Sequence, residues 1–561
     1  SVRPPELMVR LRTLAAVLFA AAPLAAQWDI RYPDMPARTY EEALARYKTC
    51  LARSAFTWHF EAREVLGNAR TAEALALLCA DYKTVKEDAE YIRYLIADCC
   101  ARFFDKPEFL PAILALRDAN KGPGDVWLWY HSLRMQADRG DEAAVMAIAH
   151  SDKNALLRAA AIAALGDSRN GPLKDAIVPN CAAFPKKENE RMALLGAMSG
   201  ALMANKERVN AEDYRAAITA YIGLLADDVK LSHVGKVQMA RHLQIILKAP
   251  APFVDPQSWL DILARGDVKT TNRQTTVASP RFFGVETDGE RMVYVVDMSD
   301  SMLLPIEPSA KPQGPLTGPK QKKKKGAVLD ESDLPWHLIN TRWDLARENL
   351  RISLSRLTPD KEFCVVWFGK QSGTLDACKG LIKATKGNVD KVMAELDDVK
   401  AIMTPEEGKP LPPTGRLRGD TNLHGGLRLA FALHSKGFAG SHAYVDPMAL
   451  AEGCDTILLL SDGDPSVDDF LEVDKNYGER KMVQSLERGE AAVSTPQAWS
   501  SGPFISSGIA HCPYIVADVR RMNAFRRVRM HAVGFGEANM TLTKLLAEIG
   551  QGEAIQVGKA K

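Results

Sequence analysis

Five oxygen-bearing side chains follow apolar runs in the C-terminal half of the chain. The stretch VYVVDMSDSM places Asp297, Ser299 and Ser301 behind four apolar residues. Thr421 follows a charged loop ending in GRLRGD, and Asp462 lies two residues beyond the run ILLL. Carboxylate and hydroxyl oxygens are hard donors that suit Mg²⁺, Mn²⁺ or Ca²⁺, and a set with few acids leaves the ion electrophilic. These residue types therefore predict a divalent-metal site.

The five side chains act together only if the fold brings them to one edge. The short apolar runs MVYVV, FCVVWF, ILLL and MHAVGF alternate with amphipathic segments such as TRWDLARENLRISLSRL. This alternation is typical of an α/β fold with a doubly wound, mostly parallel, Rossmann-like sheet covered by helices. Open sheets of this kind bind ligands outside the carboxyl ends of their strands. We therefore expect residues 282–561 to form such a domain, with the metal at that edge.

The same motifs resemble the metal-ion-dependent adhesion site of the von Willebrand factor type A (VWA) domain. The resemblance lies in the D-x-S-x-S at Asp297–Ser301, the T-N-L-x-x-G-L that begins at Thr421, and the D-G at Asp462–Gly463. The order of the motifs agrees, as do the intervening R-W-D-L-A-R-E-N-L helix and the terminal V-G-F-G strand, so the similarity covers residues 282–557. Three correctly ordered elements are more specific than a D-x-S-x-S alone.

The resemblance implies a role for each of the five residues. Ser299, Ser301 and Thr421 would ligate Mg²⁺ directly or nearly so, and Asp297 and Asp462 would act directly or through water. A carboxylate of a protein partner would complete the coordination, so the resemblance implies an adhesion or interaction protein and not an enzyme. A long insertion after residue 302 and an extra segment at residues 469–515 depart from a compact family member and leave the partner surface open.

Three other interpretations of the same residues remain. GDPSVDD, at residues 463–469, matches a motif of haloacid-dehalogenase-like phosphohydrolases, with Asp297 as the nucleophile. That chemistry requires an aspartate as general acid where the chain has Ser299, which cannot protonate a leaving group in that way. A purely structural metal in a scaffold protein is a second alternative. Individual helix caps, with no metal, are the third.

The N-terminal part has a different pattern. Residues 38–265 are rich in Ala and Leu at helical spacing, with short breaks, which predicts an all-α region. Its clearest unit, DEAAVMAIAHSDKNALLRAAAIAALGD, reads as two short helices around Ser151–Asp152 with Gly166 ending the second. This unit resembles a HEAT-type helical repeat. We expect the aromatic residues of VWLWYHSL, Trp127, Trp129 and Tyr130, to pack in the core.

Two polar segments separate or interrupt these regions. Residues 266–281 read as a linker, and because that linker is polar we expect the two regions to fold and melt independently. Residues 303–335 form a Lys- and Pro-rich stretch that reads as a surface loop beside the predicted metal site.

The N-terminal residues and the composition bear on the compartment and the partners. Arg10 and Arg12 precede the apolar run TLAAVLFAAAPLAA, which ends in small residues before Gln27. This pattern predicts a signal peptide at residues 1–26, with residues 1–7 as an upstream extension, and hence export to a periplasm, a cell surface or the medium. An uncleaved anchor or a buried helix is the alternative. The formal net charge of +2 argues against nucleic acid as a partner, and no other segment reads as transmembrane.

Overall fold

A computed structural model describes most of the chain from residue 39 onward. The described residues are 39–52, 56–85, 89–168, 171–266, 280–306, 329–400, 416–440, 444–463, 465, 469, 512–536 and 538–558. The predicted signal peptide, most of the linker and most of the Lys- and Pro-rich loop lie outside these residues.

The N-terminal region is all-α, as the sequence predicts. Its helices are α1 Tyr40–Leu51, α2 Phe56–Ala69, α3 Ala72–Thr84, α4 Glu90–Ala101, α5 Leu110–Ala119, α6 Val126–Asp138, α7 Glu142–Ser151, α8 Ala155–Asp167, α9 Leu173–Ala182, α10 Glu188–Ala204, α11 Glu212–Gly223, α12 His233–Leu247 and α13 Pro256–Arg265.

Small residues let two of these helices approach closely. Ala160, Ala161 and Ala164 of α8 are fully buried and give this helix a face of small residues. The prediction for Gly166 is wrong, because this residue lies inside α8, which ends one residue later. A Cβ atom at Gly166 would lie 2.4 Å from the Cβ of Ala201 in α10. Gly166 therefore allows close helix packing and does not terminate its helix.

The C-terminal region is an α/β domain. Its elements are β1 Arg281–Phe282, β2 Val285–Glu286, β3 Arg291–Asp297, α14 Arg342–Ser355, β4 Glu362–Phe368, β5 Ser372–Thr374, β6 Ile382–Lys383, α15 Lys386–Asp398, α16 Leu423–Ala432, β7 Leu433–His434, β8 Gly437–Phe438, α17 Pro447–Glu452, β9 Thr456–Ser461, α18 Cys512–Asn523, β10 Arg529–Phe535, α19 Met540–Ile549 and β11 Ala554–Val557.

A seven-stranded sheet forms the centre of this domain. Its order is β11-β10-β9-β3-β4-β5, with β6 also paired to β4. The pairs of β3 with β4, β3 with β9, β9 with β10 and β10 with β11 are parallel, whereas β5 and β6 run antiparallel to β4. The mostly parallel α/β sheet is therefore confirmed. The chain leaves β3 for β4 on one side and later places β9 on the other, so a crevice is expected between the carboxyl ends of β3 and β9.

Helices cover both faces of the central strand. Successive strand residues point to opposite faces. The Tyr294 hydroxyl hydrogen-bonds the Ser353 hydroxyl of α14 at 2.7 Å, whereas Val295 faces α16, where a Cβ atom on Gly426 would lie 3.1 Å from its methyl carbon. The adjacent residues of β3 thus anchor one helix on each side.

The helical region and the α/β domain share a buried interface. Arg241 of α12 donates from Nε to Asp288 Oδ1 at 2.7 Å and from Nη1 to Asp455 Oδ1 at 3.4 Å. The Trp127 ring of α6 packs edge-on against Phe525, with 6.0 Å between ring centroids. Trp127 is 4% exposed, so its predicted burial is confirmed, although part of that burial comes from the other region.

This interface argues against the expectation, based on the polar linker, that the two regions fold independently. A polar linker says nothing about surfaces elsewhere in the two regions, and here a buried ion pair and an aromatic contact join them. Separating the regions would leave Arg241 without its carboxylate partners, which is costly for a buried charge. None of the helices in the described part of the chain is long and apolar enough to cross a bilayer.

Candidate metal-binding site

Asp297 is the last residue of β3 and lies at the carboxyl edge of the sheet beside β9. Its side chain is fully buried. One carboxylate oxygen, Oδ1, accepts hydrogen bonds from the Ser299 backbone N–H at 2.9 Å and the Ser299 hydroxyl at 2.6 Å. The other, Oδ2, accepts from the hydroxyl of Ser461, the last residue of β9, at 2.9 Å. Asp297 therefore links the two strands that border the crevice.

A chain of hydrogen bonds extends from Asp297 to Asp462. The hydroxyl oxygens of Ser299 and Ser301 are 2.9 Å apart, and the Ser301 hydroxyl donates to Asp462 Oδ1 at 2.7 Å. The structure thus brings together four of the five residues selected from the sequence, although 165 positions separate the first from the last. Independent helix caps would give no such continuous cluster, because each cap would bond its own helix.

Thr421 reaches the same edge on a loop. The backbone N–H of Arg418 donates to the Met298 carbonyl at 3.2 Å, and that of Asp300 donates to the Gly419 carbonyl at 3.3 Å. These two bonds fix the loop that carries Thr421 against the loop that carries the serines. Thr421 is 7% exposed. The fifth selected residue therefore lies in a segment joined directly to the loop that carries Ser299 and Ser301.

An arginine that sequence reasoning did not select also enters the cluster. Arg342 donates from Nη1 to Asp462 Oδ2 at 2.8 Å, and both side chains are largely buried. Arg342 is the first residue of α14, which starts at a capping box in which Thr341 accepts from the Asp344 N–H and Asp344 accepts from the Thr341 N–H. The capping pattern in TRWD was visible in the sequence, but nothing there paired Arg342 with a residue 120 positions away.

Ser461 was also missed, although it stands between ILLL and Asp462. Its hydroxyl bonds to Asp297, as described above, because the parallel pairing aligns Val296 with Leu460 and thus places the next residues of β3 and β9 side by side. Strand register, which the sequence alone does not give, decides this contact.

The buried cluster shifts the protonation of Asp297. Burial, followed by the nearby charge of Asp462, raises the pKa of Asp297 to about 7, against opposing hydrogen bonds from Ser299 and Ser461. A carboxylate must be deprotonated to ligate a metal. Divalent-metal binding through Asp297 is therefore expected to strengthen as pH rises through neutrality.

The raised pKa also predicts a pH-dependent stability in the absence of metal. The folded state holds the Asp297 proton more tightly than the unfolded state, in which the carboxyl pKa is near 3.8. Protonation of Asp297 therefore stabilises the fold below about pH 4, and this stabilisation is lost as the pH rises to about 7. The loss is on the order of 4 kcal/mol at 1.36 kcal/mol per pKa unit. In EDTA, Asp297→Asn should therefore be more stable than wild type at pH 8 by a margin that shrinks toward pH 4.

Urea unfolding of both proteins across this pH range measures the margin. Asp300→Asn is the matched control, because Asp300 is a neighbouring aspartate with an exposed side chain. A margin for Asp297→Asn that does not change between pH 4 and pH 8 would contradict the prediction.

Helix α16, which begins two residues after Thr421, is tied to the interior by a buried histidine. His424 is fully buried, and its Nε2 lies 2.9 Å from Asp518 Oδ2 of α18. Burial alone would raise the pKa of Asp518, but the hydrogen bond with His424 and the charge of Arg521 hold it well below its usual range. His424 is thus a hydrogen-bonded structural residue.

The acidic motif GDPSVDD has one residue in the described part that differs from its prediction. With Ser299 in place of the phosphohydrolase general acid, the sequence predicts that Asp464, Asp468 and Asp469 are solvated loop acids. Asp469 instead accepts from Asn422 Nδ2 at 2.8 Å, and its backbone N–H donates to His424 Nδ1 at 3.2 Å. Asp464 and Asp468 lie outside the described residues.

The donor set fits a hard divalent cation. Its acids are Asp297 and Asp462, and its other donors are hydroxyl oxygens, which Mg²⁺ accepts as ligands. The described residues contain no group of three or more His, Cys, Asp or Glu side chains placed to hold a metal. A metal at this edge would draw on the hydroxyls of Ser299, Ser301 and Thr421 beside the two acids.

Comparison with known families found no family model that matches this chain, and a search of curated proteins found none that is similar. The VWA and HEAT-type resemblances therefore stay predictions that rest on the sequence motifs.

Proposed function

We propose that the C-terminal domain is a VWA-like module that binds Mg²⁺ with Asp297, Ser299, Ser301, Thr421 and Asp462 and captures an acidic group of a protein partner. The observation that carries this proposal is the hydrogen-bond chain from Asp297 through both serines to Asp462 at one sheet edge. Mn²⁺ and Ca²⁺ suit the same oxygen donors.

The chemistry of the cluster supports capture rather than turnover. A bound Mg²⁺ would supply an electrophilic position that a partner carboxylate can occupy. The residues of this chain contribute neutral hydroxyls and two acids, one of which is already paired with an arginine, so little protein charge remains to neutralise a divalent ion. An anionic group from outside is then a favourable additional ligand.

The helical region fits a scaffold that presents this domain. Its close helix packing and its buried contacts with the α/β domain favour a rigid scaffold of the HEAT-like kind. Export, with residues 1–26 as a signal peptide, is part of the same proposal and rests on the sequence pattern alone.

Calorimetry with MgCl₂ on the full chain tests the metal site. We expect wild type to bind Mg²⁺ when MgCl₂ is added after EDTA treatment has removed any bound metal. Ser355→Ala removes one hydroxyl elsewhere on α14, where the Ser355 hydroxyl donates to the Ile352 carbonyl, and this variant should bind Mg²⁺ as wild type does. No heat of binding for Mg²⁺, Mn²⁺ or Ca²⁺ would overturn the proposal.

Two further measurements separate the alternatives. Capture of a partner that EDTA abolishes and Mg²⁺ restores supports the adhesion-type function, whereas metal binding with metal-independent capture supports a scaffold with a structural ion. Release of phosphate from p-nitrophenyl phosphate, lost in Asp297→Asn, would favour the phosphohydrolase instead.

A further inference from the structure

The carboxylate of Asp462 is shared between the cluster and a cation of the protein itself. Oδ1 accepts from the Ser301 hydroxyl at 2.7 Å, and Oδ2 accepts from Arg342 Nη1 at 2.8 Å. Asp462 is 2% exposed and Arg342 is 8% exposed, so water screens their interaction little. The guanidinium already balances one of the two acids selected as metal ligands.

The fold holds Arg342 in this position. Its backbone N–H donates to the Leu304 carbonyl at 3.0 Å, which ties the start of α14 to the segment just after Ser301. The capping box at Thr341 and Asp344 fixes the first turn of the helix. Arg342 is thus held between the segment that follows Ser301 and the capped start of its own helix, and it is not a loose surface side chain.

We propose that Arg342 is a resident counter-cation that holds down the affinity of the Asp297–Asp462 cluster for divalent metal. This inference rests on the proposed function, since it concerns the same site. It goes beyond what the VWA resemblance implies, because Arg342 begins the R-W-D-L-A-R-E-N-L helix but is not one of the five residues to which the resemblance gives a metal-binding role.

The physical reason is competition for one carboxylate. A metal that draws on Asp462 must share it with the guanidinium or displace it, and two positive centres near one buried carboxylate repel each other. Removing the arginine charge removes this repulsion and leaves Asp462 an acid without a counter-ion, which favours a divalent cation. Metal affinity should therefore rise when a neutral residue replaces Arg342, although the substitution removes a side chain that contacts the site.

The test compares Mg²⁺ affinities of full-length variants by calorimetry. Arg342→Gln removes the charge but keeps an N–H donor for Asp462, and we expect its Mg²⁺ affinity to be tenfold or more above wild type. Arg342→Lys keeps the charge and should remain within about threefold of wild type. Arg347→Gln is the matched control, because Arg347 lies on the same helix but pairs with Asp344 and Glu348.

The outcomes separate this inference from the proposed function. Tighter binding in Arg342→Gln alone supports the inference, as does Mg²⁺ binding that only this variant shows. Equal or weaker binding in Arg342→Gln, with wild type binding Mg²⁺, overturns the inference and leaves the proposed function standing. Circular dichroism of each variant measures the fold, and absence of binding of Mg²⁺, Mn²⁺ and Ca²⁺ in every variant overturns both.

Discussion

Asp297→Ala is expected to abolish measurable Mg²⁺ binding, a loss of at least about a hundredfold, while the sheet stays folded. Asp297 supplies one of the two acids of the site, and its carboxylate also holds the Ser299 and Ser461 hydroxyls in place. Loss of a contact that supports a metal ligand typically weakens metal binding 10–100-fold. Asp297→Ala removes a ligand and such supporting contacts together, so its effect should be larger. Calorimetry with Mg²⁺ measures the loss, and circular dichroism measures the fold.

Thr421→Ala provides a graded comparison for this result. It removes a single neutral donor, so Mg²⁺ should still bind, more weakly, and capture of a partner carboxylate should fall more than metal affinity does. Asp300→Ala is the control, because it removes an exposed acid from the loop that carries Ser299 and Ser301. Equal Mg²⁺ affinity in wild type, Asp297→Ala and Thr421→Ala would falsify the site and return DMSDS to the status of a capped turn.

Gly196→Val should destabilise the whole chain by about 3 kcal/mol, near the upper end for an overpacked site. Gly196 lies in α10, where it faces the α/β domain. A Cβ atom there would lie 2.0 Å from the carbonyl oxygen of Phe525. Because that neighbour is backbone and not the end of a flexible side chain, the two regions must move apart to make room. The urea midpoint of the full chain measures the effect.

The matched control is Gly223→Val, at the end of the neighbouring helix α11. A Cβ atom on Gly223 meets nothing within 4 Å, so this variant reports only the change in helix propensity, which is small between Gly and Val. We also expect wild type to unfold in one transition, because the buried interface joins the two regions. Two separate transitions in wild type would show that the interface does not couple the helical region to the α/β domain. Equal urea midpoints for the two glycine variants would show the same.

The sequence by itself determined the elements and the chemistry of the candidate site. The amphipathic segment TRWDLARENLRISLSRL predicted α14, and its Trp343, Ala346 and Leu350 are buried. Apolar runs of strand length predicted the parallel sheet because strands buried on both faces must be apolar throughout. Since parallel strands end at a common edge, Asp297 and Asp462 were expected to meet, and the serines between them complete that contact.

Only the tertiary structure decided which further side chains join that edge and how the two regions meet. Arg342 and Ser461 enter the cluster through helix placement and strand register, which depend on packing between segments far apart in the chain. The polar linker suggested independent regions, but a linker's composition carries no information about surfaces elsewhere. Arg241 bonds Asp455 across the interface over 214 positions. A local pattern reports the periodicity of its own segment, whereas a buried ion pair of this kind is set by the three-dimensional arrangement of both partners.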